Sequence, residues 1–308
     1  MHKNISIIVP IYNEESSINQ LYDEIIDSLK DITEIYEIIF VDDGSTDKSI
    51  SNINNLVSKD NNVILVQLNR NYGKSDALQE GFNIVKYDYV ITMDGDLQDD
   101  PKEIKNLINI LDDGWDCVSG WKKHRKDPLS KTIPSYFFNR FISIFSGLRI
   151  HDFNCGIKAY KKNVIKSLNI YGGLHRYIPL ILFNNGFKVT ELVVNHRPRE
   201  YGVTKYGKSR FLHGIFDFFT INFLKKYFNR PMYFFGTFGI ILSALGLGIN
   251  IYLTTLWFQG TYIGNRPLFF LGILLILVGI QSLSIGLIGE LIVNSARNKE
   301  NKIKKINS

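Results

Sequence analysis

The sequence predicts an α/β protein with a mostly parallel sheet, followed by a C-terminal hairpin of two transmembrane helices. Strand, polar turn and helix alternate four times within residues 5–111, which is typical of a parallel sheet covered by helices on both faces. Three of the polar turns carry acidic residues. Residues 231–265 and 267–289 contain no charged residue, and each stretch exceeds the roughly 20 residues that cross a bilayer.

The soluble elements follow one another in a regular order. Strands are predicted at 5–10, 37–41, 63–68, 89–93 and 117–121. Helices are predicted at 17–29, after the turn at 42–47 as far as about residue 57, at 75–85 and at 102–111. Ligands of open α/β sheets bind outside the carboxyl ends of the strands. We therefore expect the polar turns to converge on one edge of the sheet and to form the functional site there.

The turn after the fourth strand, Asp94-Gly95-Asp96, has the clearest chemistry. Alternate residues of an extended segment point the same way, so the two carboxylates can share one cation, and glycine lets a ligand approach the backbone. A few carboxylates plus substrate phosphates commonly hold Mg²⁺. The turn therefore predicts a Mg²⁺ or Mn²⁺ site with Gln98 as a further oxygen ligand. The alternative is an acidic turn that caps the helix after Pro101.

Several functional classes lack their motifs in this sequence. It has neither a Gly-x-Gly-x-x-Gly that opens a helix nor a Gly-Lys-Ser/Thr phosphate loop, which argues against a dehydrogenase and a P-loop hydrolase. Acidic strand ends can instead accept hydrogen bonds from a base or ribose, leaving a diphosphate to the metal. The two cysteines, Cys117 and Cys155, stand far apart, which argues against a disulfide framework or a zinc site.

Basic residues flank the two apolar stretches. Three precede the first stretch and five follow the second, namely Lys225, Lys226 and Arg230, then Arg297, Lys299, Lys302, Lys304 and Lys305. The intervening turn carries only Arg266. The positive-inside rule therefore predicts an integral protein of the cell (inner) membrane, with its large N-terminal domain and both termini in the cytoplasm. A buried core hairpin is the alternative.

The predicted organisation has five parts. They are a cytoplasmic catalytic domain at 1–207, an amphipathic juxtamembrane helix at 208–230, spans at 231–258 and 267–293, and a basic tail at 294–308. The net charge of +6 suits a membrane surface or phosphate ligands, and no nucleic-acid motif is present, so we expect no nucleic-acid partner. Glycines in both spans permit close helix contacts, either within the hairpin or in a homo-oligomer.

Two aromatic helices and a cationic loop lie between the sheet and the spans. The first helix carries Phe137, Phe138, Arg140, Phe141 and Phe145, and the second, at 211–227, carries Phe216, Phe218, Phe219 and Phe223, with Phe228 after it. Such faces anchor a protein on a bilayer, or pack on the sheet as ordinary core. The glycine-rich loop at 196–207 is a candidate anion-binding loop, or else a solvated turn.

Four motifs in this order and spacing resemble those of family 2 glycosyltransferases. They are Val-Pro-Ile-Tyr-Asn-Glu at 9–14, Val-Asp-Asp-Gly-Ser-Thr-Asp at 41–47, Asn-Tyr-Gly-Lys at 71–74 with Ala77 and Gly81, and Asp-Gly-Asp-Leu-Gln at 94–98. Residues 152–160, the loop Arg199-x-x-Gly-x-Thr-Lys-Tyr-Gly and the two spans are similar to the polyprenyl-phosphate branch. That branch contains the dolichyl-phosphate mannose synthases and bactoprenol glucosyltransferases, and the resemblance covers almost the whole chain.

The resemblance implies a GT-A type sheet and inverting transfer of a sugar from a UDP- or GDP-linked donor to the phosphate of a membrane polyisoprenol. The resemblance also implies a role for three sets of residues. The base and ribose would be lined by Pro10, Tyr12, Glu14, Asp42 and Asp43, and the metal would be held by Asp94, Asp96 and Gln98. The phosphates would be bound by Arg125, Arg199 and Lys205, with Arg140 as a further candidate. Asp152 would lie near the acceptor. The predicted catalytic residues are Asp96, Asp152 and Arg125, and Lys122 or Lys123 could replace Arg125.

Elementary chemistry agrees with this reaction. A nucleotide diphosphate leaving group needs charge neutralisation, which a metal and a few cations provide. A phosphate monoester, with a second pKa of about 6, is already a nucleophile at neutral pH, so the site needs no strong base. The alternatives are a membrane polysaccharide synthase, which usually has a Gln-x-x-Arg-Trp motif and more spans, a nucleotidyltransferase, and a non-catalytic scaffold that binds nucleotide sugars. The sequence leaves the sugar and the base open.

Overall fold

The computed structural model describes residues 3–123, 139–140, 142–198, 210–228, 230–260, 262–263 and 267–297. The chain divides into two compact units, Met1–Phe219 and Thr220–Ser308. The first unit contains the sheet. The second contains the two apolar helices.

A seven-stranded sheet forms the centre of the first unit. It is mostly parallel, as predicted. Its strands are β1 (Ile5–Ile11), β2 (Tyr36–Asp42), β3 (Val63–Gln67), β4 (Tyr89–Thr92), β5 (Cys117–Trp121), β6 (Lys158–Lys161) and β7 (Val189–Val193), in the order β3-β2-β1-β4-β6-β5-β7. Only β6 runs antiparallel to its neighbours, β4 and β5. The sequence-based prediction placed the first five strands within a residue of these bounds and missed β6 and β7.

Helices cover both faces of this sheet. In chain order they are α1 (Ile18–Leu29), α2 (Ser49–Val57), α3 (Lys74–Ile84), α4 (Ile104–Asp112), α5 (Lys162–Ile165) and α6 (Ile178–Asn184), with 3-10 turns at Pro101–Glu103 and Leu174–Tyr177. A further helix, α7 (Arg210–Tyr227), follows β7 along the chain. Helix α1 is representative, because it buries Ile18, Leu21, Ile25 and Leu29 at helical spacing against the strands. Burial of this apolar stripe fixes the helix on the sheet.

The two predicted aromatic helices are described in part. Residues 142–146 are helical, and Ile144 and Phe145 are each 66% exposed. Phe137, Phe138 and Phe141 lie outside the described residues. In α7, Phe216 and Phe219 are exposed, whereas Phe218 is buried. Each described segment therefore presents large apolar side chains to its surroundings, and their contact with a bilayer stays a prediction.

The second unit is built on a hairpin of α8 (Pro231–Phe258) and α9 (Pro267–Arg297). Both helices are long and apolar enough to cross a membrane, with mean hydropathies of 1.8 and 2.5 over their most apolar stretches. Only 17% of each stretch is buried, whereas the core helix of a soluble protein is mostly buried. Together these features indicate a membrane protein.

Glycines determine how closely α8 and α9 pack. A Cβ added to Gly239 would lie 2.6 Å from the Gly279 carbonyl oxygen, and one added to Gly246 would lie 2.6 Å from that of Gly272. Such close backbone approach is typical of helix pairs in membranes. A Cβ on Gly248, in contrast, would meet no atom within 4 Å. Most of the interfacial glycines therefore serve the hairpin itself.

The variant Gly279→Val is expected to destabilise the hairpin by about 1–3 kcal/mol, because its side chain would overlap the Gly239 carbonyl and Ser243. Thermal unfolding of the full chain in detergent measures the effect. Gly248→Val makes the same change in open space and is the control. Equal unfolding midpoints for the two variants would contradict the packing described above.

Candidate active site

Two loops at the carboxyl edge of the sheet are locked to each other. Asn13 donates its backbone N–H to the Ser45 hydroxyl over 2.9 Å, and its side-chain oxygen accepts the Thr46 N–H over 2.8 Å. The Glu14 N–H donates to the Ser49 hydroxyl over 2.9 Å. This lock joins the loop after β1 to the loop after β2. It fixes the predicted residues Tyr12 and Glu14, both partly exposed, at the end of β1.

The predicted ribose ligands Asp42 and Asp43 are both buried, and both accept backbone hydrogen bonds. Asp43 accepts the N–H groups of Tyr72 and Gly73 over 2.7 and 2.9 Å, which holds the loop before α3. Asp42 accepts the Ser45 N–H over 3.2 Å. Burial raises the pKa of Asp43 although its two backbone hydrogen bonds oppose the shift. A structural role for these carboxylates is therefore visible, and a role in ribose binding stays a prediction.

The Asp94-Gly95-Asp96 turn is wedged between β1 and α1. The Ser17 hydroxyl donates to the Gly95 carbonyl over 2.5 Å, and a Cβ on Gly95 would come within 2.6 Å of the Ile11 side chain. The next residue, Leu97, is buried and has a φ of +63°. A positive φ at leucine is strained and persists only where packing enforces it. The acidic turn is thus held in one conformation by its surroundings.

Two lysines neutralise carboxylates at this turn. Lys74, the first residue of α3, forms an ion pair with Asp94, and Lys122, just after β5, lies 3.1 Å from Asp99. Burial alone would raise the pKa of the Asp94 carboxyl, but the charges of Lys74 and Lys122 hold it well below its usual range. Burial would likewise lower the pKa of Lys122, yet Asp99 raises it. Asp94 is therefore ionised.

The loop at residues 152–158, which leads into β6, packs against the acidic turn. A Cβ on Gly156 would lie 2.6 Å from the Asp94 carboxylate and even closer to that of Asp99. The predicted residue Asp152 is 1% exposed and accepts the Asn154 N–H over 3.0 Å. Lys158 is buried, donates to the Cys155 carbonyl, and has a pKa lowered by burial. Gly156 thus permits the close approach of this loop to the acidic turn.

The chain after β7 runs beside the acidic turn. The Arg197 N–H donates to the Gln98 carbonyl over 3.0 Å, and its guanidinium bridges Glu24 and Asp100 over 2.5 and 2.7 Å. His196 pairs with Asp99 in an isolated antiparallel bridge. The described segment ends at residue 198. The predicted phosphate ligands Arg125, Arg199 and Lys205 lie outside the described residues, and Arg140 is exposed.

The oxygen donors at the turn fit a hard divalent cation. Asp96 is 9% exposed, and its carboxylate accepts the Gln98 N–H over 3.3 Å. Asp94 stands two residues before Asp96 in the same turn. Across the described ranges, no cluster of three or more His, Cys, Asp and Glu suited to a metal occurs. A cation here would complete its coordination with substrate phosphates, which is how Mg²⁺ is commonly bound.

Sequence reasoning gave too little weight to Lys74 and Lys122. Lys74 entered only as part of the Asn-Tyr-Gly-Lys motif, and Lys122 only as an alternative to Arg125. Their roles depend on contacts between separate elements, because α3 supplies the partner of Asp94 and the end of β5 supplies that of Asp99. The one signal in the sequence was the position of each lysine directly after a predicted strand or turn.

We expect Lys74→Met to lower the metal-free stability of the chain by about 1–2 kcal/mol at neutral pH, because Asp94 loses its nearest countercharge. The depressed pKa of Asp94 stabilises the fold above the unfolded value of about 3.9, and this contribution disappears as pH falls. The difference from wild type should therefore shrink towards acidic pH. Thermal unfolding in EDTA across a pH series measures it.

Lys105→Met is the control for this series, since Lys105 is exposed on α4. A stability difference for Lys74→Met that stays constant down to pH values well below 4 would contradict an ionic role for the lysine.

The chain belongs to glycosyl transferase family 2, whose model matches residues 6–168. The family prediction is thereby confirmed. Dodecaprenyl-phosphate galacturonate synthase of Rhizobium johnstonii is 36% identical over 297 residues, 94% of this chain and 88% of that protein. Undecaprenyl-phosphate 4-deoxy-4-formamido-L-arabinose transferase of Yersinia pestis is 31% identical, with the same coverage of both chains.

Solved structures agree on the fold. Glucosyl-3-phosphoglycerate synthase from Mycobacterium tuberculosis, in complex with phosphoglyceric acid, superposes with a TM-score of 0.56 and 19% identity over 71% of this chain and 80% of that chain. Its complex with Mn²⁺, uridine diphosphate and glucosyl-3-phosphoglycerate gives a TM-score of 0.54 and 18% identity, over 72% and 80%. These similarities confirm the GT-A type fold.

Proposed function

We propose that this chain transfers a sugar, with inversion, from a nucleotide diphosphate sugar to the phosphate of a membrane polyisoprenol. The observation that carries the proposal is the Asp94-Gly95-Asp96 turn, which is held by its surroundings at the carboxyl edge of a GT-A type sheet and in which Lys74 keeps Asp94 ionised. The two relatives described above support the acceptor, because each is named for a polyprenyl phosphate and aligns with 94% of this chain.

In this proposal, Asp94, Asp96 and Gln98 hold Mg²⁺ or Mn²⁺ together with the donor diphosphate. The bound metal would neutralise the charge that develops on the leaving nucleotide. Pro10, Tyr12, Glu14, Asp42 and Asp43 would line the base and ribose, since the two locked loops that carry them border the acidic turn. The donor would be UDP- or GDP-linked.

The acceptor phosphate would attack the anomeric carbon without a strong general base, since a phosphate monoester is largely dianionic at neutral pH. Asp152 would orient the acceptor side of the site, which suits its burial and its hydrogen bond within its own loop.

Arg125, Arg199 and Lys205 would bind phosphates, with exposed Arg140 as a further candidate. Arg197, two residues before Arg199 in the sequence, donates its N–H to the Gln98 carbonyl, and this supports the proposed role of Arg199.

The lipid acceptor also accounts for the apolar hairpin. We infer that α8 and α9 span the cell (inner) membrane, with the catalytic domain and both termini on the cytoplasmic side, because the basic residues flank the hairpin. The exposed aromatic residues Phe145, Phe216 and Phe219 would contact the headgroup region and help to keep the active site at the membrane surface.

The test is transfer of label from a panel of radiolabelled nucleotide sugars into organic-extractable lipid, using membranes that contain this chain. The proposal predicts label from one donor and loss of that label in EDTA. Membranes that lack the chain provide the background. Label in a water-soluble polymer would instead indicate a polysaccharide synthase, and donor binding without transfer would indicate a scaffold.

A further inference from the structure

Arg176 is a buried cation that forms no ion pair within the described part of the chain. Its side chain is 8% exposed, and its Nε atom is fully buried without a hydrogen-bond partner. Within the described part of the chain, its guanidinium forms neither a hydrogen bond nor an ion pair. Buried charges in proteins are normally paired, because an isolated one loses its hydration without compensation. An unpaired buried guanidinium therefore indicates a missing anion.

The position of Arg176 is fixed by hydrogen bonds to the start of α3. It lies in the 3-10 turn Leu174–Tyr177, where the His175 N–H donates to the Ser75 hydroxyl over 2.9 Å. The same hydroxyl lies 2.9 Å from the His175 Nδ1 atom and donates to the Gly172 carbonyl over 2.7 Å. Ser75 directly follows Lys74, the partner of Asp94. The turn that carries Arg176 is thus attached to the candidate active site.

The surroundings of this turn are rich in positive charge. Burial lowers the pKa of His175 well below its usual value, and the charges of Lys74, Arg176 and Lys158 lower it further, while Asp94 opposes them. His175 is therefore neutral. Asp94 is already paired with Lys74, and Lys158 donates to the Cys155 carbonyl. A carboxylate also lies beside this turn, since a Cβ on Gly173 would meet that of Asp217, and both Asp217 and Arg176 act on Tyr177. No ion pair within the described residues joins Asp217 to Arg176.

We propose that Arg176 binds a phosphate group of a substrate. The proposal rests on the proposed function, which brings two phosphate sources to this edge of the sheet: the monoester of the acceptor and the diphosphate of the donor. A guanidinium presents a planar set of donors that matches phosphate oxygens in a two-point contact. Bound phosphate would give Arg176 the directly paired anion that the described residues do not supply, and Ser75 and His175 would hold the turn in position.

Thermal unfolding of the full chain in detergent, with inorganic phosphate as the probe, tests this subsite. Phosphate should raise the unfolding midpoint of the wild type and of the control Lys166→Gln, which alters an exposed cation on the same unit. Arg176→Gln should lose most of this rise, while its phosphate-free midpoint equals or exceeds that of the wild type. A structural cation would behave in the opposite way, because its removal would lower the phosphate-free midpoint.

Steady-state transfer kinetics then distinguish the two phosphate sources. With a short-chain isoprenyl monophosphate as acceptor, Arg176→Gln should raise one KM about tenfold or more and leave the other within about twofold. A change in the acceptor KM assigns the subsite to the monoester, and a change in the donor KM assigns it to the diphosphate. Arg176→Lys keeps the charge but loses the two-point contact, so its KM should lie between those of Arg176→Gln and the wild type.

Two results would overturn the proposal: a phosphate-induced rise retained in Arg176→Gln, or a phosphate-free midpoint that falls steeply in both Arg176 variants. Failure of the proposed function gives a different result, because the wild type would then transfer no sugar to lipid in any assay. The phosphate-dependent midpoint does not require transfer, so it would still report whether Arg176 binds an anion.

Discussion

Asp96→Ala is expected to reduce sugar transfer on the order of 10³-fold, because the variant loses a carboxylate of the proposed metal site and with it several kcal/mol of charge stabilisation for the leaving nucleotide. Asp96 is nearly buried, lies next to strained Leu97, and accepts a hydrogen bond from the Gln98 backbone. The locked turn leaves little freedom for another carboxylate to replace it. Label recovered in lipid over time measures the loss.

Asp113→Ala is the matched control, since it removes an exposed carboxylate at the end of α4, away from the turn. It should retain transfer close to that of the wild type. If Asp96→Ala kept more than about a tenth of the wild-type rate, the metal assignment would fail, because the loss of a metal ligand costs far more than that.

Gly156→Ala should reduce transfer on the order of 10²-fold although it adds only one methyl group. The added carbon would lie 2.6 Å from the Asp94 carboxylate and closer still to that of Asp99. Either the loop that carries residue 156 or at least one of the two carboxylates must therefore move. Displacement of a catalytic group by about 1 Å can reduce a rate by about 10²-fold. The prediction tests whether the loop from β6 sets the geometry of the acidic turn.

Gly248→Ala makes the same substitution where the new methyl group meets nothing within 4 Å, and it should leave transfer unchanged. Both proteins should be compared at equal folded concentration, judged by their unfolding midpoints. A Gly156→Ala variant as active as Gly248→Ala would show that the turn tolerates movement, and it would remove the argument that the site is preorganised.

The sequence was most informative where a pattern is local. Strands β1 to β5 carry continuous apolar runs that end at polar turns, and the helices between them repeat apolar residues at helical spacing, as in α1. Strand β6, with the sequence Lys-Ala-Tyr-Lys, is only four residues long and has a lysine at each end, so it lacks such a run. Its burial comes from pairing with β4 and β5, which no local pattern reveals.

The candidate site was predictable in its acidic half and much less so in its cationic half. Asp94 and Asp96 stand two residues apart at a strand end, so their proximity is encoded locally. The described cations come from separate segments, since Lys74 of α3 pairs with Asp94 and Lys122 after β5 pairs with Asp99, and only the fold brings these segments together. The missing partner of Arg176, within the described residues, becomes visible only once its neighbours are known.

The most direct test of the central claim is the mass of the lipid product that the purified chain forms from its donor and a defined isoprenyl monophosphate. The account predicts a product heavier than the acceptor by one glycosyl residue and still containing a single phosphorus, because the acceptor phosphate attacks the sugar carbon. A product that gained a sugar phosphate, with two phosphorus atoms, would contradict the account, since the bond formed would then join two phosphates.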